Sequence, residues 1–501
     1  MSADVFRRPK GVTKVIHYFR RRAFGTLTFL LVPLAAVASH NISDPPVAHS
    51  PVTLSAVNDP ATGRTAFSYE GREVPPVIRA APGESIRITF QNKMSSGAQA
   101  KCATGPCMNM SNLHFHGLHV SPNSPQDDVL SMMAMPGESL EYKVDIPMNQ
   151  PPGLYWYHPH AHGESNKQVR DGMSGAIIIE GIEKYVPEVA GMRERVLVLR
   201  DRAFEPRDPD AAQLMRAVEV PAQGCGGSTD QLESVFTVNG ALRPRIPIAV
   251  GEKQFWQIVN ASPNLYADLE VDGEQFEIVA LDGMPLGYRD PRHPTRFASH
   301  VLLPPAGRLE AIVSGEASAK LRTRCFDTGP DGDPNPAMVL ADLADVGTDA
   351  PAIRTLPVNQ QNRVSIPIDP AQLTAFENAS PDFTVTFTED KQGFYINDKR
   401  FGPADAPMTR VHVGGYHHWR IVNKTHEVHP FHIHQVHFLF YATNGDSEKD
   451  GEWLDTVNVP AGGSVDLIMD FTDPIIRGVS LFHCHLLSHE DKGMMAKILF
   501  E

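Results

Sequence analysis

Residues 82–92 read PGESIRITFQN, a turn with Pro and Gly followed by a stretch in which apolar and polar side chains alternate. Alternation with a period of two, bounded by turn residues, is typical of a strand with one buried face. The pattern recurs in PGESLEYKVDIP (136–147), VGEKQFWQIVNAS (250–262), VGGYHHWRIVNKT (413–425) and PAGGSVDLIMDF (460–471). The recurrence predicts an all-β protein of antiparallel sandwich strands, built by internal repetition.

The repeats and the chain length both predict three domains. A shorter turn-and-strand segment precedes three of the repeated strands, at 69–78, 239–247 and 396–403. At about 100–200 residues per domain, a chain of 501 residues also suggests about three domains. We place the domains at 50–183, 190–345 and 365–501. The 42 Pro and 38 Gly residues divide the chain into short stretches, so we expect little helix.

The first 38 residues have the composition of an export signal. Basic residues precede an apolar stretch over 23–38, which ends in the small-x-small cleavage pattern AVA at 36–38. The run RRRAF at 20–24 resembles a twin-arginine signal. We therefore expect a bacterial protein that is exported by the twin-arginine route to the periplasm or secreted, without stable membrane insertion after cleavage. An ordinary export signal or an uncleaved anchor is the alternative.

Composition and charge exclude several classes of protein. Hydrophobic residues make up 42% and charged residues 21% of the chain, as in an ordinary globular protein. The formal net charge of −14 at pH 7 argues against binding to nucleic acid or to anionic lipid. We expect a folded protein that binds no nucleic acid, and we expect a monomer.

The cysteines agree with an oxidising compartment. Apart from Cys484, four remain, an even number suited to two disulfides: Cys102, Cys107, Cys225 and Cys325. A turn-rich segment separates Cys102 from Cys107, which favours that pair and leaves Cys225 with Cys325. All three connectivities remain open at this point, as do free buried thiols.

Ten of the 22 histidines lie in four clusters with the spacing of metal ligands. The clusters are His114-Phe115-His116, His158-Pro159-His160, His429-Pro430-Phe431-His432-Ile433-His434, and His483-Cys484-His485 with the nearby His489. On a strand, residues i and i+2 project to the same face, so each His-x-His presents two imidazoles side by side. One such pair is commonly a surface pair. Four together predict metal binding shared by at least two domains.

Cys484 gives the sharpest indication of the metal. Its side chain must point to the face opposite His483 and His485, so one short stretch can serve two metal centres. One thiolate with two imidazoles and a weak thioether is the ligand set of a blue-copper electron-transfer site. His429, His489 and Met494 would complete this set. Zinc would more often take several thiolates, and only one Cys is present here.

These motifs, in this order and spacing, resemble those of the multicopper oxidases, specifically three-domain, laccase-like bacterial members. The resemblance covers essentially the whole chain after the signal. It implies three cupredoxin-like, Greek-key β-sandwich domains and four coppers per chain. It assigns Cys484, His429, His489 and Met494 to a type 1 copper in the third domain. It assigns His114 and His432 to a type 2 copper, and the type 3 pair to His116, His158, His160, His434, His483 and His485.

The resemblance implies a copper-dependent oxidoreductase that uses O2 as acceptor. Single electrons would leave a small reductant at the type 1 copper, pass through Cys484 to His483 or His485, and reduce O2 to water at the other three coppers. We expect a phenolic or similar reductant. A metallo-oxidase that oxidises Cu(I) or another low-valent metal ion for copper tolerance is one alternative, and a non-catalytic copper-binding or structural protein is another. We interpret the cluster of Met132, Met133 and Met135 as packing.

Reduction of O2 needs acids that deliver protons near the coppers. Glu490 matches in position an acid that assists this step in bacterial laccase-like relatives. Such relatives also place an Asp shortly after the first histidine pair, and here Asp127 and Asp128 lie slightly later than in that pattern. We predict these three residues as candidate catalytic acids. The second domain has none of the motifs, so we expect it to serve spacing and packing, and we interpret the acidic loop at 327–336 as a solvated turn.

Overall fold

The computed structural model describes residues 40–60, 62–95, 108–203, 234–289, 293–345, 355–356, 374–376 and 378–501. The predicted export signal and Cys102, Cys107 and Cys225 lie outside these residues. Cys484 is free, whereas Cys325 is disulfide-bonded to a partner outside the described residues, so its pairing stays a prediction. Within the described ranges, no helix is both long enough and apolar enough to span a membrane.

The first domain is a sandwich of a four-stranded sheet, β3-β2-β5-β7, on a five-stranded sheet, β1-β4-β9-β8-β6. Its strands are β1 (Val47–His49), β2 (Val52–Asn58), β3 (Thr65–Ser68), β4 (Val77–Ala80), β5 (Ser85–Asn92), β6 (His114–His116), β7 (Ser139–Asp145), β8 (Gly153–His158) and β9 (Gly175–Ile179). Apolar side chains of both sheets, such as Phe90 and Phe115, form the core between them. Met132 belongs to this core, which agrees with the packing interpretation.

The second domain pairs a seven-stranded sheet with a five-stranded one. Its strands are β10 (Arg193–Ala203), β11 (Ser234–Val238), β12 (Arg245–Pro247), β13 (Lys253–Asn260), β14 (Ala267–Val271), β15 (Phe276–Leu281), β16 (Met284–Pro285), β17 (Arg296–Ala298), β18 (Val301–Leu303), β19 (Arg308–Ser314), β20 (Lys320–Arg324) and β21 (Met338–Ala344). The larger sheet runs β11-β10-β13-β19-β15-β16, with β17 beside β15, and the smaller runs β12-β21-β20-β14-β18.

The third domain pairs the sheet β23-β22-β25-β30-β27-β28 with the sheet β24-β32-β31-β26-β29. Its strands are β22 (Phe383–Asp390), β23 (Gly393–Ile396), β24 (Thr409–Val411), β25 (Gly415–Asn423), β26 (His429–Ile433), β27 (Phe438–Thr443), β28 (Asp446–Leu454), β29 (Thr456–Val459), β30 (Ser464–Phe471), β31 (Gly478–Cys484) and β32 (Met495–Phe500). Three short α-helices lie wholly within the described ranges: α1 (Ser165–Asp171), α2 (Leu286–Arg289) and α3 (Leu487–Glu490). Single 3-10 turns occur at Ile182–Lys184, Pro187–Val189 and Pro474–Ile476.

The three sandwiches confirm the all-β, cupredoxin-like fold, and each of the five quoted stretches contains a strand. The predicted antiparallel pairing holds for only part of the strands. The repeated strands β5, β13 and β25 each have one antiparallel neighbour and one parallel neighbour. Alternation reveals which face of a strand is buried and carries no information on the direction of its neighbours. The exact domain boundaries stay a prediction.

Candidate metal centre

Strand pairing in two domains sets the histidines opposite one another. In the first domain β6 pairs with β8, which places His114 across from His158. In the third domain β26 pairs with β31, which places His432 across from His483. His160, His434 and His485 follow the ends of these strands. Each domain thus presents two His-x-His pairs from adjacent strands.

The two domains interleave their histidines. The ring of His114 stacks on that of His434 with centroids 3.8 Å apart, and His116 stacks on His432 at 3.9 Å. In each stack one ring comes from the first domain and the other from the third. The eight histidines of the two domains therefore form one cluster, which we call the histidine cluster: His114, His116, His158, His160, His432, His434, His483 and His485.

Ring nitrogens converge at separate points within the histidine cluster. Nε2 of His483 lies 3.2 Å from Nε2 of His434 and 3.4 Å from Nε2 of His160. A second group within the histidine cluster consists of the rings of His116, His158 and His485. The centroid of the His116 ring lies 5.0 Å from that of His485 and 5.8 Å from that of His158. Such convergence of nitrogens suits several metal ions held close together.

The state of these imidazoles fits a metal. All eight are buried, and burial is the main cause that lowers their pKa values. Burial and Arg308 lower the pKa of His432 to about 4, and burial with neighbouring imidazoles lowers that of His160 to about 3. They are therefore neutral at pH 7, as metal ligation requires. Six have a buried ring nitrogen without a hydrogen-bond partner: His114, His116, His158, His432, His434 and His485. Orphaned buried nitrogens are costly unless an ion or water satisfies them.

Cys484 forms a second site on the other face of β31. Its Sγ lies 3.4 Å from Nδ1 of His429, which in turn lies 3.4 Å from Nδ1 of His489. Burial raises the pKa of the Cys484 thiol well above its usual value, so a thiolate here needs a cation beside it. Met494 is fully buried in the same apolar core as Cys484. The donor set suits one copper ion.

The edge of this second site is polar and reaches the surface at His489, which is 7% exposed whereas His429 is fully buried. Phe394 stacks on the His489 ring at 3.8 Å, and an oxygen of Glu427 lies 3.7 Å from His489 Nε2. Burial and nearby acidic groups raise the pKa of Glu427 to about 8.

The acidic loop of the second domain is more than a solvated turn. The carbonyl of Thr328 accepts the N–H of Val428 at 2.7 Å, and a carboxylate oxygen of Asp331 lies 3.0 Å from His426 Nδ1. Asp331 and Asp333 are among the acidic groups that raise the pKa of Glu427. The loop thus packs against the segment that leads into His429.

Two of the three predicted acids contact the histidine cluster. Glu490 is fully buried, with one carboxylate oxygen 3.2 Å from His483 Nδ1 and the other 3.7 Å from His160 Nδ1. Burial raises its pKa well above the usual range. Asp127 lies 3.0 Å from His114 Nδ1, and burial raises its pKa to about 8.

Asp128, unlike Asp127, does not contact the histidine cluster. Its carboxylate accepts the N–H groups of Leu130 at 3.2 Å and Ser131 at 2.9 Å, and also the Ser131 hydroxyl. It therefore closes a local turn, and it contacts none of the described histidines. Asp127 and Asp128 lie in a stretch of bends and turns, and only Asp127 faces His114.

No sequence motif points to Asp455, the acid nearest His116. Oδ1 of Asp455 lies 3.2 Å from His116 Nε2, and the Asp455 carbonyl lies 2.8 Å from His432 Nδ1. Burial raises the pKa of Asp455, but Arg308 outweighs burial and holds it at about 2. Arg308 belongs to the second domain, for which we predict spacing and packing, and it brings this domain into contact with an acid beside the histidine cluster.

Comparison with known proteins agrees with this geometry. Family models described as multicopper oxidase match residues 52–184 and 367–501, together more than half of the chain. The multicopper oxidase mco of Staphylococcus haemolyticus is 23% identical over 442 residues, 86% of this chain and 83% of that protein. The laccase of Haloferax volcanii is 25% identical over 486 residues, 87% of this chain and 78% of that protein.

A solved structure shows the same fold. The multicopper oxidase from Campylobacter jejuni, a metallo-oxidase, superposes with a TM-score of 0.68 at 22% identity, over 92% of this chain and 95% of that one. The family uses copper, and both histidine-rich sites fit copper binding. The chain belongs to the multicopper oxidase family, whose members are oxidoreductases that use O2.

Proposed function

We propose that the chain is a laccase-like oxidase that takes single electrons from a phenolic or similar small reductant beside Cys484 and reduces O2 to water at the histidine cluster. One observation carries the proposal. Cys484 shares β31 with His483 and directly precedes His485, so the two sites are joined through covalent bonds. Bound copper supplies the one-electron redox chemistry at both sites.

Four coppers per chain would have distinct ligand sets. Cys484, His429, His489 and Met494 would hold one, and His114 with His432 a second. Nε2 convergence supports a third set of His160, His434 and His483. The remaining ligands of the pair would be His116, His158 and His485, whose rings lie within 6 Å of one another by centroid.

The chain's own groups would bind the reductant at the exposed edge of His489. A phenol hydroxyl there can donate a hydrogen bond to Glu427, 3.7 Å from the imidazole. This contact would hold the ring of the reductant against His489, the ligand that links the surface with Cys484. Glu490, the residue after His489, would hold a proton beside His483 and release it to reduced oxygen.

One observation favours oxidation of a low-valent metal ion such as Cu(I) as the second candidate. Glu427 lies beside His489, and three acidic groups of two domains lie close enough to raise its pKa: Asp331, Asp333 and Glu389. Such a group of carboxylates attracts a cation more strongly than a neutral phenol.

Oxygen uptake by copper-loaded protein, with a methoxyphenol and with Cu(I) offered separately, would test the proposal. Rapid uptake with the phenol supports the laccase-like function, and uptake confined to Cu(I) makes the chain a metallo-oxidase. Glu427→Gln should raise KM for the donor that is used. Glu141→Gln is the matched control, because the Glu141 carboxylate accepts the Thr89 hydroxyl and none of its described contacts reaches either site.

We also propose that the chain works outside the cytoplasm. The proposal rests on residues 1–38, whose basic, apolar and AVA segments suit twin-arginine export to the periplasm or the medium. Fractionation of cells that express the chain, with Arg20 and Arg21 replaced by Lys in a parallel strain, would test it. Export that is unaffected by the replacement would contradict the twin-arginine route.

A further inference from the structure

Arg308 of the second domain joins all three domains beside the histidine cluster. Its Nη1 and Nη2 donate to the two carboxylate oxygens of Asp455 at 2.8 and 2.5 Å. Nε donates to the Leu154 carbonyl of the first domain at 3.3 Å. The remaining two N–H groups donate to the carbonyls of Ala306 and Asp282 at 3.3 and 2.8 Å. All five donors of a guanidinium with no solvent exposure are thus used.

Asp455, which Arg308 holds in place, in turn accepts hydrogen bonds from two histidines. Its Oδ1 accepts a hydrogen bond from His116 Nε2 at 3.2 Å, and its backbone carbonyl accepts one from His432 Nδ1 at 2.8 Å. Since each of these nitrogens carries the proton, the lone pair lies on the other ring nitrogen. Those nitrogens, Nδ1 of His116 and Nε2 of His432, are buried without a hydrogen-bond partner in the described protein.

Asp282 accepts hydrogen bonds from the backbone of both Arg308 and Asp455. Its Oδ2 accepts the backbone N–H groups of Asp455 and Thr456, each at 3.2 Å, and its Oδ1 accepts that of Arg308 at 2.9 Å. A glycine beside Arg308 and Asp455 leaves room for this ion pair. Gly117 has φ +84°, and a Cβ there would lie 2.5 Å from Arg308 Nη2 and 2.6 Å from an Asp455 oxygen.

We propose that Arg308 and Asp282 are positioning residues, which act through Asp455 to fix the tautomers and directions of His116 and His432 before copper arrives. We call Arg308, Asp282 and Asp455 the clamp. The inference rests on the proposed ligand sets, and it gives the second domain a part in building a site that lies between the other two. A planar guanidinium grips both oxygens of a carboxylate, which a lysine ammonium cannot do.

The test is copper retention by Arg308→Lys, which keeps the charge and loses the fork of donors. Copper-loaded protein is titrated with a chelator, and metal content is measured together with the visible absorption of the Cys484 site and the electron paramagnetic resonance signal of the remaining copper. We expect retention at the histidine cluster to weaken about 10- to 100-fold. The absorption of the Cys484 site should not change.

Arg79→Lys is the matched control. Arg79 is also buried between the first two domains, where it pairs with Glu180 at 3.0 Å and with Glu194, and none of the described contacts joins it to the histidine cluster. It should retain copper as the unaltered protein does. Unchanged retention in Arg308→Lys overturns the proposal, and equal losses in both variants overturn it too, because they indicate a general effect of domain packing.

Two further variants separate the remaining outcomes. If Arg308→Lys does not fold, Asp455→Asn decides in the same way, since it keeps the shape of the side chain and removes one oxygen from the clamp. His116→Ala tests the ligand sets directly. Full copper retention by His116→Ala would refute the proposed ligand set, on which the proposed function depends. It would leave the hydrogen bonding of the clamp untouched, so the two failures can be told apart.

Discussion

Replacing Asp127 by Asn should loosen His114 while leaving the shape of the site intact. Three N–H donors point at the Asp127 carboxylate in the structure. His114 Nδ1 lies 3.0 Å from Oδ2, the Phe115 amide donates to Oδ1 at 3.0 Å, and Gln435 Nε2 donates to Oδ2 at 2.7 Å. A carboxylate accepts all three on its two oxygens. An Asn side chain has one oxygen, so its NH2 group would face at least one donor.

The expected loss follows from that count. A buried donor left without an acceptor costs about 1–3 kcal/mol. If this free-energy cost arises because His114 is less well oriented, copper affinity at the proposed site of His114 and His432 falls about 5- to 150-fold, since about 1.4 kcal/mol corresponds to a factor of ten. Competition with a chelator measures this affinity. The free energy of unfolding of the copper-free protein measures how much of this cost lowers the stability of the fold instead of the affinity for copper.

Asp128→Asn is the control for this prediction. It makes the same change of charge one residue away, in a side chain that closes a turn and contacts no described histidine. It should retain copper as the unaltered protein does. The reasoning is refuted if Asp127→Asn retains copper fully and folds normally, or if both variants lose it equally.

Three further substitutions test other parts of the molecule. Cys484→Ser should abolish the visible absorption and O2 uptake at a stability cost of about 1–3 kcal/mol in thermal unfolding; unchanged uptake would contradict the proposed electron path. Glu490→Gln should slow reoxidation by O2 about 10²- to 10⁴-fold, while anaerobic reduction of the Cys484 site, followed by stopped flow, stays the same. Gly117→Ala should cost about 1–3 kcal/mol more than Gly137→Ala in thermal unfolding. Both glycines have φ near +90°, but a Cβ at Gly137 meets open space, so equal costs would mean that contact with Arg308 is unimportant.

Local sequence was enough to predict the strands and most of the clustered histidines. Alternation along a strand depends only on neighbouring residues, and each of the five quoted stretches contains a strand. The His-x-His spacing is local in the same sense, because two residues two apart on one strand share a face. The opposite orientation of Cys484 follows from the same rule, and Cys484 does lie in the apolar core of the third domain.

Contacts made between distant segments could not be predicted in this way. Arg308 and Asp455 are 147 residues apart, and neither lies in a motif with recognisable spacing. Asp127 and Asp128 are equivalent by position, and only tertiary structure shows that the first faces His114 and the second closes a turn. The acidic loop at 327–336 looks solvated by composition, yet its backbone binds Val428.

The charges of the buried groups give a reason why the second domain contributes to a site that contains none of its own histidines. Neutral imidazoles add no charge, so three buried carboxylates, Asp127, Asp455 and Glu490, are the groups available to offset the positive charge of bound copper. Before copper binds, burial favours the protonated form of Glu490 and of Asp127, whereas Arg308 keeps Asp455 ionised. Asp127 has N–H donors from the first and third domains, whereas Asp455 depends on Arg308. A cation there stabilises the copper-free fold and leaves the orphaned nitrogens of His116 and His432 free to bind metal.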